Sequence, residues 1–205
     1  DSVLRFEGNT AHLKSGKTVA FDLLVIAVGV RPNTELIKEA GGEVRRGIAV
    51  DECGRTSLPD IFAAGDCAES FDIASGTNKV LALLPNAAFQ GRAAGVNMAG
   101  GKAKLTNAVA FNSIGFFGTH VMTAGVYEGE MYCERTERTY KALFTKDGLL
   151  KGFILINLPE RAGIYLKLLR ERIPLGAVDF EALKTSPAWS AFSPEARAKN
   201  FAREV

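Results

Sequence analysis

Six consecutive apolar residues, Leu23-Leu24-Val25-Ile26-Ala27-Val28, end on Gly29 and pass directly into "VRPNTELIKEAGG". A continuous apolar run of this length, rather than an alternating one, reads as a strand buried on both faces, the kind found in parallel sheets covered by helices. The segment that follows supplies a helix to do the covering. Asn33 or Thr34 is its N-cap, Leu36, Ile37 and Ala40 share one face, and Gly41 is its stop. The chain is therefore expected to be α/β in class.

A second run repeats the pattern. In "TSLPDIFAAGDCAE", residues 56–69, Ile61 to Ala64 read as a strand that runs through Gly65 into Asp66. In open α/β sheets ligands sit at the carboxyl ends of strands, and Gly65 removes the side chain that would keep one away from the backbone. A carboxylate there can accept hydrogen bonds from a sugar or polyol. The local pattern equally fits a structural role, because Asp66-Cys67-Ala68-Glu69 has the spacing of a capping box.

From Pro85 the chain lists Ala87, Ala88, Gly91, Ala94, Gly95, Met98 and Ala99, a helix with one side of small residues, with Asn86 as N-cap and Gly100-Gly101 as stop. Its free N–H groups would favour an anionic group. Close packing on its own sheet accounts for the same composition.

The rest of the chain sets the organisation. Residues 2–20 read as a short meander with a turn at Ser15-Gly16, and Ile48 to Val50 as a small strand. After Gly101 the composition shifts to aromatic and β-branched residues, and "YKALFTKDGLLKGFILIN" is a hairpin around Asp147-Gly148. Ala162, Tyr165, Leu166, Leu169 and Ile173 form a helical stripe, and helices near 178–185 and 194–203 close the chain. A boundary near residue 104 is expected.

Composition excludes several classes of function. Twenty-five Lys and Arg against 23 Asp and Glu leave a net charge of +2, far from a general nucleic-acid binder. The longest apolar runs, "LLVIAVGV" and "VLALLP", fall short of the roughly 18–20 residues of a membrane span. No secretory segment opens the sequence. Cys53, Cys67 and Cys133 form no C-x-x-C pair, which fits a reducing, cytoplasmic setting. His12 and His120 are isolated, so no metal site is expected.

Order and spacing join the three motifs. "LLVIAVGVRPNTELI", "GIAVDECGRTSLPDIFAAGDCAE" and "AAFQGRAAGVNMAGG" resemble the C-terminal half of FAD-dependent pyridine nucleotide-disulfide oxidoreductases. That family's T-x-x-x-x-I-[FY]-A-x-G-D motif is matched by Thr56 and Ile61 to Asp66. The resemblance implies Asp66 on the ribitol of FAD with Gly65 beside it, and Asn86, Ala87 and Ala88 as a helix start facing the N1/C2=O edge of the flavin. "FNSIGFFGTHVMTAGV", "YKALFTKDGLLKGFILIN" and "ERAGIYLKLLRERI" are similar to the C-terminal domain of NADH:rubredoxin reductases, NADH oxidases and the nitrite reductase large subunit, which implies a dimer contact.

The implied layout is the end of an NAD(P)H-binding domain with a crossover strand (1–28), the C-terminal part of a Rossmann-like FAD-binding domain (29–104), and a small α+β domain (105–205). The implied reaction passes electrons from NAD(P)H through FAD to an acceptor, with a rubredoxin-like protein, oxygen or a disulfide all open. No residue here reads as a general acid, base or nucleophile, so the catalytic set is empty. Neither G-x-G-x-x-G turn of the family is present in the 205 residues. With Asp1 at the start, the sequence is expected to be a C-terminal fragment, inactive alone. A cofactor-free binding or dimerisation module built on the same fold is the competing expectation.

Three further features read as structural. Cys67 fits a small buried residue. Arg161, Lys167, Arg170 and Arg172 fit a solvated helix face, with docking of an acidic redox protein as the functional counterpart. Trp189, Phe192 and Phe201 fit a tail folded back on its own domain or across a dimer.

Overall fold

The computed structural model describes residues 1–158 and 161–202 and divides into two compact units, Asp1–Arg31 and Pro32–Val205.

In the first unit β1 (Val3–Glu7), β2 (Thr10–Leu13) and β3 (Thr18–Ala20) form an antiparallel meander in the order β1-β2-β3. Its turns fall on Gly8 and Gly16, both at positive φ. Beyond it, the strand expected over Leu23 to Val28 does not form. Leu23 is 81% exposed and Val28 92%. The correction has a simple cause: a central strand exists only where neighbours take its N–H and C=O groups and cover both faces. Among the described residues no strand pairs with this run.

The second unit opens with α1 (Glu35–Glu39), preceded by Thr34 and ended by Gly41 at φ 84°. Gly42 N–H reaches the Ile37 carbonyl at 2.8 Å, closing the end as a Schellman turn does. Only Ile37 of the expected face is buried, while Leu36 and Ala40 are exposed. A helix of five residues has little more than one inward position.

A small sheet follows in the order β4-β5-β6. β4 (Ile48–Ala49) runs parallel to β5 (Ala68–Asp72), which pairs antiparallel with β6 (Thr77–Val80). Here a second expected strand is corrected. Ile61 to Ala64 form no strand, and only Phe62 makes a bridge, to Arg55. The segment is instead the return arm of a loop clamped by Thr56, whose N–H and hydroxyl both donate to the Ile61 carbonyl at 3.0 Å. Regular pairing begins only after Asp66, at Ala68.

α2 (Leu84–Met98) is the longest helix of the unit. Its buried positions are Asn86, Gln90, Ala93 and Ala94. The small-residue side is therefore split: Ala94 faces inward, whereas Ala88, Gly91 and Gly95 are exposed.

The last sheet of the chain is five-stranded and antiparallel, of order β7-β8-β11-β10-β9. Its strands are β7 (Phe111–Phe116), β8 (Thr119–Gly125), β9 (Glu130–Arg135), β10 (Tyr140–Lys146) and β11 (Leu149–Ile156). Asp147 and Gly148, at φ 54° and 70°, make the two-residue turn that the Asp-Gly pair specifies. On one face of the sheet Leu143, Phe153 and Leu155 pack with Ile164, Tyr165 and Leu168 of α3 (Ala162–Arg170). Pro159 and Glu160, at the start of the expected helical segment, lie outside the described residues.

α4 (Phe180–Thr185) and α5 (Pro194–Phe201) begin on side-chain caps from Asp179 and Ser193. Trp189 stacks on Phe192 at 4.9 Å and Phe201 at 5.4 Å, and Phe192 is buried in the core of Leu143, Phe153 and Tyr165 with Trp189 packed against it, so the tail folds back on its own unit; residues 203–205 lie outside the described residues. On α3 the cations are partly engaged. Lys167 pairs with Glu171, and Arg170 donates to Asn107 Oδ1 at 3.0 Å while lying over the Phe89 ring. Arg170 thus ties α3 to Asn107 and to α2, while the Lys167 pair stays within the helix end.

Candidate functional site

The turn Gly65–Cys67 is a single 3-10 turn, closed by the Ala68 N–H on the Gly65 carbonyl. Gly65 has φ +81°, and a Cβ on it would lie 3.6 Å from the Ala87 Cβ. The turn therefore rests against the first turns of α2. Two of the elements singled out in the sequence, the Gly65-Asp66 exit and the small-residue helix start, are brought together.

Asp66 is exposed, and among the described residues no hydrogen bond or ion pair engages its carboxylate. The capping-box alternative fails in the geometry. Asp66 lies inside the turn rather than at its N-cap, which is Ala64 without a side-chain bond. The box's other partner, Glu69, points elsewhere. It is buried, and its Oε2 accepts the N–H groups of Arg46 at 3.0 Å and Gly47 at 3.1 Å. The Glu is used to satisfy the loop before β4, which leaves Asp66 a free acceptor.

The helix start differs from expectation by a few residues. α2 begins at Leu84 with Leu83 at the N-cap, and the Ala87 N–H is already bonded to the Leu83 carbonyl at 3.0 Å. Asn86 is not a cap. Its side chain is buried and donates to the Val109 carbonyl at 3.0 Å. Because Pro85 has no N–H, the free donors are the backbone N–H groups of Leu84 and Asn86 rather than those of Ala87 and Ala88. Ala87 is half-buried and Ala88 exposed, so these two contribute small size, not donors.

Residues not singled out from the sequence hold this arrangement. Gln90 is 4% exposed; its Oε1 accepts the Gly65 N–H at 2.7 Å, and its Nε2 donates to Ser70 Oγ at 2.9 Å. Asn97 donates to the Cys53 carbonyl at 2.9 Å and accepts the Ala103 N–H at 3.0 Å. Gly54, also at φ +81°, lets the 51–62 loop approach α2, since a Cβ there would lie 3.0 Å from the Ala94 Cβ. A signal was available: Asn86, Gln90 and Asn97 recur at helical spacing on the same side as Ala93 and Ala94, and polar residues in an inward stripe imply partners.

Cys67 is half-buried with its thiol on the Ala64 carbonyl, as packing requires. A cavity of about 610 Å³ opens beside the 55–62 loop, lined by Thr56, Leu58, Asp60, Phe62, Asn97 and Met98 among others. None of Gly65, Asp66 or residues 86–88 lines it, so it is not the site just described. Among the described residues no group of His, Cys, Asp and Glu is arranged to hold a metal ion, and no helix is long and apolar enough to cross a membrane.

Residues 1–91 match the family described as "Pyridine nucleotide-disulphide oxidoreductase". The NADH-dependent phenylglyoxylate dehydrogenase subunit epsilon of Aromatoleum evansii is 36% identical over 186 residues, covering 84% of this chain and 44% of that protein. Among solved structures, an FAD-dependent pyridine nucleotide-disulphide oxidoreductase from Desulfovibrio vulgaris superposes with a TM-score of 0.75 at 26% identity, over 89% of this chain and 51% of its own. Putidaredoxin reductase in covalent complex with putidaredoxin shares the fold across 100% of the chain and 49% of its own, with a TM-score of 0.78 at 21% identity. The chain thus spans about half the length of each.

Proposed function

Because the chain belongs to the pyridine nucleotide-disulphide oxidoreductase family, whose members are FAD- and NAD(P)H-dependent, we propose that it supplies one end of an FAD site in such an oxidoreductase. The observation that carries this reading is the pairing of a free, exposed Asp66 carboxylate with the free N–H end of α2, held together through Gly65. The residues fit the group. Asp66 accepts hydrogen bonds from the polyol hydroxyls, and Gly65 keeps the backbone beside it open. The N–H groups of Leu84 and Asn86, with the positive end of the helix dipole, favour the electron-rich edge of the ring. Held by these residues, FAD would supply the hydride acceptor for a nicotinamide and the relay of electrons to an acceptor.

The pyrophosphate loops come, in this proposal, from outside these 205 residues, and the chain alone neither holds FAD tightly nor oxidises NADH. Residues 1–28 then end an NAD(P)H domain, 29–104 complete a Rossmann-like FAD domain, and 105–205 form the C-terminal α+β domain. A visible spectrum of the purified 205-residue chain tests this, and stoichiometric bound flavin would overturn it. In the flavin-loaded enzyme, Asp66→Ala weakens FAD binding about 10- to 100-fold, the range for losing charge-assisted hydrogen bonds.

The second face of the five-stranded sheet supports a homodimer. Cross-strand register puts Ile114, Phe116, Val121, Ile154, Ile156 and Met131 on the side opposite α3, and Phe116 and Met131 are more than half exposed. Sedimentation of the intact protein tests this; a monomer at micromolar concentration would discard it. The acceptor is open among a rubredoxin-like protein, oxygen and a disulfide, and steady-state NADH oxidation against each decides. The same face favours a second reading, a cofactor-free dimerisation module, which the flavin-binding measurement separates from the first.

A further inference from the structure

We propose that Gln90 is the positioning residue that sets the spacing between Asp66 and the free N–H end of α2, an inference that rests on reading these as two parts of one FAD site. Its amide has a fixed orientation. The Gly65 N–H can only donate, so Oε1 must face it, at 2.7 Å, which turns Nε2 toward Ser70 Oγ at 2.9 Å. One side chain therefore joins the turn, the helix and β5.

The placement along α2 gives that bond its consequence. Gln90 lies four residues beyond Asn86, one helical turn away and on the same buried face. The helix that presents the N–H groups of Leu84 and Asn86 is thus also the anchor for the turn that presents Asp66. Gly65 stands at φ +81°, a conformation most residues avoid. The hydrogen bond to Gln90 is the one described partner of its N–H. Without the acceptor the turn loses its tie to α2, and the carboxylate loses its register with the N–H groups. An extended ligand that must meet both at once binds tightly only where that spacing is fixed in advance.

The experiment has two arms. In the 205-residue chain, amide hydrogen exchange at Gly65 and Asp66 is followed by NMR for Gln90→Met, which keeps volume and removes the acceptor, and Gln90→Glu, which keeps an acceptor toward Gly65. Exchange is expected to quicken at least about tenfold in the Met variant and stay within about threefold in the Glu variant. Unchanged exchange in Gln90→Met overturns the proposal.

In the holoenzyme, the FAD dissociation constant is measured for Gln90→Met, Ser70→Ala and Asp66→Ala. Gln90→Met is expected to raise it about tenfold and Ser70→Ala less, in the same direction, by loosening the amide. Ser70→Ala serves by itself if Gln90→Met does not fold. Loss of binding in Asp66→Ala with none in the Gln90 and Ser70 variants overturns the role of Gln90 alone. Unchanged binding in Asp66→Ala overturns the site reading beneath it.

Discussion

Asn86 donates its side-chain amide to the Val109 carbonyl at 3.0 Å, tying the first turn of α2 to the stretch that enters the five-stranded sheet. Asn86→Ala leaves that carbonyl without a partner in a buried place. The cost is about 1–3 kcal/mol, or a fall in Tm of roughly 2–4 °C per kcal/mol for a chain of this size. Calorimetry of the 205-residue chain checks it, and an unchanged Tm would mean that the bond contributes nothing net.

Gly54 and Gly65 share φ +81° but differ in surroundings. A methyl on Gly54 meets Ala94 Cβ at 3.0 Å, whereas one on Gly65 meets Ala87 Cβ at an ordinary 3.6 Å. Both substitutions to Ala carry the left-handed penalty of about 1–2 kcal/mol, and Gly54→Ala adds overpacking of about 1–3 kcal/mol. Gly54→Ala is therefore expected to be the more destabilising in urea unfolding. The reverse order would show that the 51–62 loop yields more easily than α2 packing suggests.

The run Leu23 to Val28 leaves large apolar side chains in water, an association hazard for the chain by itself. Replacing Val25 and Val28 with Ser is expected to lower concentration-dependent light scattering of the 205-residue chain without changing the amide signals of the β1-β2-β3 meander. Scattering that persists would place the sticky surface elsewhere.

Glu134 has its carboxyl held below the ordinary value of 4.5, first by the Tyr132 hydroxyl and then by the Lys141 ammonium. A lowered carboxyl contributes stability that is present above its unfolded pKa and lost as pH falls through the lowered folded value. Tyr132→Phe removes the hydroxyl donor, so the Glu134 titration moves up toward 4.5. Side-chain carboxyl NMR reads this directly. With nearly half of the Glu134 side chain exposed, solvent screening keeps the associated change in acid stability small.

What the sequence disclosed and what it withheld divide by the range of the forces involved. The β10–β11 hairpin was legible because Asp147-Gly148 is a local instruction, two residues that tolerate positive φ. The caps Asp179 and Ser193 are local in the same way. Leu23 to Val28 and Ile61 to Ala64 have the apolarity of strands and form none, because a strand is a relation with neighbours, and apolarity alone does not supply them. Asn86 departs from the N-cap position for a related reason. As a free side chain it is a good N-cap, but Val109, 23 residues away, claims it. Pro85, at home in a first turn, was the local sign that α2 starts earlier.

The candidate site is conspicuous in its motif and not in its support. Gly65 and Asp66 could be named because Gly before a carboxylate at an apolar run is conspicuous. The helical spacing of Gln90 with Asn86 and Asn97 marks it as an inward polar residue in need of partners, but not which ones, since these are Ser70 and a backbone N–H 25 positions away. Nor could the release of Asp66 from its apparent capping partner be foreseen, which followed from Arg46 and Gly47 engaging Glu69.

The order β7-β8-β11-β10-β9 puts the last strand made in the middle of its sheet. On a ribosome, β7–β8 and β9–β10 emerge as two separate hairpins, each with an open edge, and neither can reach the other through sequence-adjacent pairing. Only when Leu149–Ile156 leaves the exit tunnel does one strand fill the gap between them. Nascent chains arrested before residue 149 therefore carry two unjoined ribbons, and those stalled once β11 has cleared the tunnel can close the sheet. The closing of this sheet is timed by its fifth and last strand, β11.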